Sequence, residues 1–298
     1  MSMGAHGWTL RRHVPPGITP LEVWNLPVLG HELWELLGTS RVEEARRAGV
    51  PESMLAFHLL PVLAGALAEL VPRHDVDAVW LCGGLACLEG FEALVEEASA
   101  ALACPVYVAE DPRFAPVRAG LRLLDAPDAT QPRVQEPSRP VHPVALDVGQ
   151  TSIKCASPQA LRVFERDTAA LPLLFIGMPR PEDGHHIPAA VRFIAGALRA
   201  FAGQEAPDAL CLALPCPLDE ALRPGGCTYG WEGHTPLVAD LLREAALPAP
   251  ARGGTVLVLN DAELAAEAAR GDARLADSRR VLCLTLGFGP GGALLARD

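Results

Sequence analysis

The stretch A-L-D-V-G-Q-T-S-I-K-C-A, Ala145 to Ala156, decides how the rest of the chain is read. Val144, Ala145 and Leu146 form a short apolar run that ends on Asp147, and apolar residues resume at Ile153 after Gly149, Gln150, Thr151 and Ser152. This pattern predicts a strand, a tight turn and a returning strand. A carboxylate at the strand end can hold a metal ion and its water. Gly149 removes the Cβ that would crowd the turn, so backbone N–H groups and the Thr151 hydroxyl can face an anion. Lys154 adds a point charge beside them, and it is the only lysine in a chain otherwise supplied with arginine. A plain hairpin carrying an incidental lysine fits the same residues.

Downstream, Arg162 to Arg166 predicts a third strand and Met178 to His186 a polar, Pro-rich loop. Ile187 to Ala202 has the spacing of an amphipathic helix. Ala209 to Leu214 predicts a buried strand running into Pro215, Cys216 and Pro217, followed by a loop with Tyr229, Gly230 and Trp231 and a helix from Pro236 to Ala245. Thr255 to Leu259 is an apolar strand meeting Asn260 and Asp261, with an Ala/Glu helix to Arg270. Val281 to Leu286 is a strand, Gly287 to Gly292 a glycine turn, and Ala293 to Leu295 the start of a returning strand.

Upstream, residues 1–30 read as irregular, with one short strand within His6 to His13. Short helices are predicted over Glu32 to Leu37 and Arg41 to Ala48. Met54 to Leu70 is apolar on nearly every face, which predicts a central buried helix. Asp77 to Leu81 is a β-type run closed by Gly83 and Gly84; a helix (Leu88 to Ala101), a strand (Val106 to Ala109) and a helix (Pro116 to Leu124) follow. Such alternation belongs to a layered α/β domain. Asp125 to Pro143 contains five prolines and almost no large apolar residue, as expected of an extended linker at a domain boundary.

With 298 residues, half of them hydrophobic, the chain suits one large or two ordinary domains. A net charge of −11 without a basic cluster argues against a nucleic-acid surface. No signal-peptide pattern opens the sequence and no uninterrupted apolar run reaches spanning length. The eight cysteines are scattered and form no C-x-x-C, so buried thiols in a reducing cytoplasm are expected. His31, His185, His186 and His234 form no metal-ligand spacing. Asp261, at a strand end before a helix, can accept a proton from a substrate hydroxyl or merely cap the helix.

Taken together, these segments resemble one family. L-D-V-G-Q-T-S-I-K (146–154) is similar to the first phosphate motif of the actin-like ATPase and sugar kinase superfamily. L-A-L-P-C-P-L-D (212–219) with Y-G-W-E-G (229–233) resembles segments of the ROK (repressor, open reading frame, kinase) sugar kinases. V-L-V-L-N-D-A-E-L-A-A-E-A-A (256–269) resembles their catalytic segment, and V-L-C-L-T-L-G-F-G-P-G-G (281–292) their second phosphate motif. V-W-L-C-G-G-L-A (79–86) resembles the adenosine motif, which in the family comes last. The order therefore implies a circular permutation. The implied fold is α/β, with two ribonuclease H-like (actin-like ATPase) domains around a central cleft. Residues 1–125 would be the adenosine-side domain, 126–143 the linker, 144–278 the first-phosphate and catalytic domain, and 279–298 a hairpin completing the 1–125 domain. On this reading residues 281–298 pack with 1–125, and His6 to His13 continues the sheet that Asp298 leaves.

The resemblance implies phosphoryl transfer from ATP, with Mg2+, to a hydroxyl of a sugar or similar small metabolite. Asp261 would be the base and Asp147 would organise the metal. Gly149, Gln150, Thr151, Lys154, Gly287, Gly289, Gly83 and Gly84 would hold the nucleotide; Asn260, Gly230, Trp231, His31 and Glu32 would meet the sugar. Implied partners are that metabolite and a second copy of the chain, with no nucleic acid and no membrane. The pattern departs from the family at Phe288, where Thr is usual, and at Pro290, which lacks an N–H. It also lacks the family's C-x-C-G-x-x-G-C zinc motif. A catalytically impaired nucleotide- or sugar-binding sensor or scaffold on the same fold is the alternative.

Overall fold

The computed structural model describes residues 2–3, 7–37, 39–102, 104–125, 142–174, 185–203, 207–247, 250 and 253–297, with backbone alone for 2–3, 39–41 and 43. Most of the Pro-rich linker (126–141), most of the polar loop before His186 (175–184), and His6 and Asp298 lie outside them.

The N-terminal elements are β1 (Ser2–Met3), β2 (Trp8–Arg12), β3 (Ile18–Leu21), β4 (Pro27–Val28), β5 (His31–Glu32), α1 (Leu33–Leu37), α2 (Thr39–Arg47) and α3 (Glu52–Arg73). Next come β6 (Ala78–Cys82), α4 (Phe91–Leu102), β7 (Val106–Val108) and α5 (Ala115–Asp125). The hairpin strands β8 (Pro143–Val148) and β9 (Ser152–Ala156) precede β10 (Leu161–Glu165), α6 (His186–Ala202), β11 (Ala209–Leu214) and α7 (Leu237–Ala245). The chain continues through β12 (Gly254–Asn260), α8 (Asp261–Arg270), β13 (Arg280–Thr285) and β14 (Gly291–Ala296).

The protein is mixed α/β and divides into two compact units: Met1–Val14 with Val117–Asp261, and Pro15–Pro116 with Ala262–Asp298. The first unit holds a seven-stranded sheet, β1-β2-β12-β11-β8-β9-β10. β8, β9 and β10 form an antiparallel meander; β11, β12 and β2 run parallel to β8. β8 and β11 are buried at every residue, as apolar parallel strands covered on both faces should be. Val191, Ile194 and Leu198 of α6 and Val238, Leu241 and Leu242 of α7 share one core with Leu146, Leu210, Val256 and Val258. Gly120 brings α5 onto the sheet: a Cβ there would lie 3.0 Å from both the Ala145 Cβ and the Cys211 Sγ.

The second unit holds a five-stranded sheet, β3-β14-β13-β6-β7. β13, β14 and β3 are successively antiparallel, while β6 and β7 run parallel to β13. The blocks β10-β9-β8-β11-β12 and β3-β14-β13-β6-β7 thus share one order and one set of directions. Residues 280–296 pair with strands from residues 18–21 and 78–82, far away in sequence.

Three expectations need correction. Residues 1–30 are not irregular: β3 is an edge strand, where Pro20 is tolerated because its missing N–H can face away from the ladder. The strand at Trp8–Arg12 does not continue the β13–β14 sheet but runs parallel to β12 in the other one. Finally, α3 is not buried all round. Leu55, Leu59, Val62, Leu63, Ala66, Leu67 and Leu70 recur at helical spacing and face the core of the second unit, while Phe57 is 60% and Met54 48% exposed. α3 is also the one helix among the described residues long and apolar enough to cross a membrane by length and composition.

Candidate functional site

In the first unit, the carboxyl ends of three adjacent parallel strands bring together several of the residues singled out in the sequence. Asp147 on β8 is level with Ala213 on β11, which is level with Leu259 on β12. Asp147 and Leu259 are thus two strand spacings apart, about 10 Å between backbones, and Asn260 and Asp261 follow at once. The order also reverses beside β8, the position at which open α/β sheets take ligands.

Asp147 is buried and sits opposite Lys154 in the β8–β9 register, with the Lys154 Nζ 3.7 Å from its Oδ2. Gly149 is needed for that approach: a Cβ there would lie 2.9 Å from the Lys154 Nζ and 3.0 Å from the Ser152 carbonyl oxygen. The turn closes with the Gly149 N–H donating to the Ser152 carbonyl (2.9 Å). Its carbonyls are all engaged. That of Gly149 accepts from the Tyr229 hydroxyl (2.9 Å), that of Gln150 from the Arg166 Nη1 (3.0 Å), and that of Thr151 from the Arg166 backbone N–H (2.8 Å). The N–H groups of Gln150 and Thr151 take no protein acceptor among the described residues.

The Gln150 side chain does not reach outward. Its Nε2 donates to the Pro215 carbonyl (3.2 Å) and its Oε1 accepts from the backbone N–H (3.2 Å) and hydroxyl of Thr228. Trp231, expected at the sugar, is fully buried and stacks on Tyr229 with ring centroids 4.5 Å apart. Gly230 (φ +70°) is wedged between Leu174 and His186, where a Cβ would come within 2.6 and 2.9 Å.

Asn260 is buried and its Nδ2 donates to the carbonyls of Cys216 (2.8 Å) and Leu214 (3.4 Å), so its amide holds the end of β11. Asp261 opens α8 as its first helical residue and lies close enough to Cys216 to act on its thiol. Cys216 is pushed well above the ordinary thiol range, first by its hydrogen bond with Cys227 and then by burial. Burial likewise pushes Cys155 and Cys211 up to about 12, with Asp147 adding to both. These thiols are therefore not nucleophiles at neutral pH.

In the second unit, Gly83 and Gly84 follow β6, and Gly287 and Gly289 lie between β13 and β14. Gly83 (φ +101°) is a packing residue, since its Cβ would fall 2.4 Å from the Leu286 carbonyl oxygen. Gly84 and Gly287 have no atom within 4 Å of a Cβ position, so both faces are open. Phe288 and Pro290 are buried. The Thr285 hydroxyl accepts from the Gly291 N–H (3.0 Å) and so closes this turn. His31 and Glu32 stand exposed in the separate β4–β5 pair with local partners: His31 Nδ1 lies 3.6 Å from the Glu35 Oε2, and the Glu32 Oε2 accepts from the Trp34 Nε1.

Sequence inspection missed Arg166, Thr228, Tyr229 and Thr285. An arginine closing a predicted strand and one of only two tyrosines were the available signals. His234 has a local partner, Asp240 at 2.8 Å. Among the described residues no group of three or more His, Cys, Asp or Glu could hold a metal ion. One carboxylate beside a lysine does not make a cage for free Mg2+. It does fit an ion that arrives with phosphates and keeps most of its waters.

No protein-family model matches the sequence, and no curated protein matches it.

Proposed function

We propose that the protein is an ATP-dependent kinase acting on a hydroxyl of a sugar or similar small metabolite. We further propose that both units are ribonuclease H-like domains of the actin-like ATPase type, joined in circularly permuted order. The repeated five-strand block supports the fold: β14 and β3 are neighbours in one sheet although they lie near opposite ends of the chain.

The observation that carries the function is the common strand-end position of Asp147 and Asp261, beside a turn whose Gln150 and Thr151 N–H groups take no protein acceptor among the described residues while its carbonyls are engaged. The N–H groups of Gln150 and Thr151, with Lys154, would hold phosphate oxygens, and Asp147 would hold the water shell of Mg2+. The bound ion would neutralise charge on the phosphates. Asp261 would accept the proton of the attacking hydroxyl, a role typically worth about 10²–10⁴ in rate. Seven buried thiols and one exposed thiol, all free, suit a reducing cytoplasm.

Calorimetry with ATP–Mg2+ and a phosphoryl-transfer assay across hexoses and amino sugars test this. Asp261→Asn should keep nucleotide binding and lose about 10²–10⁴ in transfer, whereas Asp147→Ala should lose binding. A wild-type chain that neither binds nor transfers ends the proposal. Binding without transfer to any acceptor favours the sensor, for which the buried Trp231 and the donor lost at Pro290 are the supporting observations.

A further inference from the structure

Arg166 is a buried cation, 5% exposed, and among the described residues it has no carboxylate partner. Every arm of its guanidinium instead donates to a neutral oxygen. Nε reaches the Leu171 carbonyl (2.9 Å), Nη1 the Gln150 carbonyl (3.0 Å) and the Thr228 hydroxyl (3.1 Å), and Nη2 the carbonyls of Pro172 (2.6 Å) and Thr228 (3.1 Å). Its Cζ lies 4.0 Å from the centroid of the Tyr229 ring, and Tyr229 stacks on Trp231. Burial alone disfavours such a charge, and it lowers the Arg166 pKa. An unpaired buried charge of this kind is costly to keep.

The cost has a use at the turn. Hydrogen bonding polarises a peptide group, and polarised groups in series strengthen one another. The Gln150 carbonyl, which accepts from Arg166, shares its peptide group with the Thr151 N–H. The Gly149 carbonyl, which accepts from Tyr229, shares its own with the Gln150 N–H. These are the two N–H groups left without a protein acceptor among the described residues. Arg166 also bonds Thr228, which bonds Gln150, so turn and loop are tied together.

We propose that Arg166, with Tyr229 stacked on it, is a positioning residue that aims and polarises the Gln150 and Thr151 N–H groups toward a phosphate. Its buried positive charge makes the hairpin an anion site without touching the anion. The inference rests on the phosphate-binding role of this hairpin.

Titration calorimetry of ATP–Mg2+ into wild-type, Arg166→Met, Arg166→Lys and Tyr229→Phe proteins, with urea midpoints measured alongside, decides it. Arg166→Met should weaken binding about 10- to 100-fold, the worth of one or two charge-assisted hydrogen bonds. Arg166→Lys should restore part of that loss by keeping the charge. Tyr229→Phe removes one hydroxyl from the Gly149 carbonyl and should cost about 3- to 10-fold; if Arg166→Met does not fold, Arg166→Lys, which keeps the charge but loses the guanidinium fork, decides the matter by a smaller loss of affinity. A purely structural role would lower the urea midpoints and leave the affinity of the folded fraction unchanged, which overturns the proposal. Unchanged affinity in the variants beside a binding wild type overturns only the role of Arg166. A wild type that binds no ATP–Mg2+ overturns the hairpin site with it.

Discussion

Gly83 and Gly84 are neighbours with opposite physical roles, and exchanging each for alanine separates them. At Gly83 the backbone stands at φ +101°, outside the range comfortable for an L-residue, which costs about 1–3 kcal/mol. A Cβ would meet the Leu286 carbonyl oxygen at 2.4 Å, its nitrogen at 2.8 Å and its carbonyl carbon at 2.9 Å. These are backbone atoms held in place, since the Leu286 N–H donates to the Cys82 carbonyl (2.7 Å) and the Leu286 carbonyl accepts from Leu85 (3.1 Å). Relief requires moving β13 against β6, and overpacking of this kind costs about 1–3 kcal/mol. The sum is about 2–6 kcal/mol. Gly84 sits at φ −65° and ψ −32° with nothing within 4 Å of its Cβ position. Alanine there fits, and by restricting the unfolded chain it should stabilise by about 0.4–1 kcal/mol. Urea unfolding followed by circular dichroism should move the Gly83→Ala midpoint down by about 1 M or more and leave Gly84→Ala at or slightly above wild type. Equal midpoints for the two variants would refute the assignment of Gly83 to packing and of Gly84 to an open face.

Two further outcomes are expected. Cys87 is the one exposed thiol, and the seven others are buried; a chromogenic disulfide reagent should titrate a single thiol in the folded protein and all eight in urea. That single reaction should go on quickening at a pH where a free thiol has levelled off, because burial raises the Cys87 pKa more than Arg113 lowers it. Several thiols reacting at the Cys87 rate would contradict the burial pattern. The Asp272 carboxyl is held below its ordinary value first by its hydrogen bond with the Arg274 side chain, aided by the Arg274 backbone N–H and by Trp80, whose indole N–H donates to it at 3.0 Å. Its contribution to stability is therefore complete above the unfolded carboxylate pKa of about 4 and is lost as pH falls through the lower native value. Melting temperatures of wild type and Asp272→Asn should differ at pH 7 and converge toward pH 2–3; a gap that does not change with pH rules this out.

Most regular elements after Pro51 are visible as local periodicity, because burial on one face leaves its mark every two residues in a strand and every three or four in a helix. Ile187 to Ala202 and Ala209 to Leu214 show this to within a residue of their ends. The hairpin at Asp147 is legible for a different reason: two short apolar runs flank a polar tip opened by Gly149, a residue that turns favour. Local pattern misled at α3, where an apolar composition concealed an exposed face at Met54 and Phe57. It also gave no hint that Ile18–Leu21 is a strand, since four residues interrupted by Pro20 carry too little period to register.

The amino-acid sequence alone settled the strand–turn–strand at Asp147, the helices α5 to α8, and the placing of Asp261 at a strand end, all of which depend on neighbours within a few residues. Which strands pair was decided by the tertiary structure. It set β2 beside β12, β3 beside β14 and β13 beside β6, because a strand's hydrogen-bonding edge accepts any partner of suitable length and the choice is made by the core that closes around it. The same holds for the side chains of Gln150, Arg166, Asn260 and Trp231. As letters they were candidates for ligand contact or strand ends; in the folded protein they bond or stack inward, since buried polar groups must find partners where the chain has brought them.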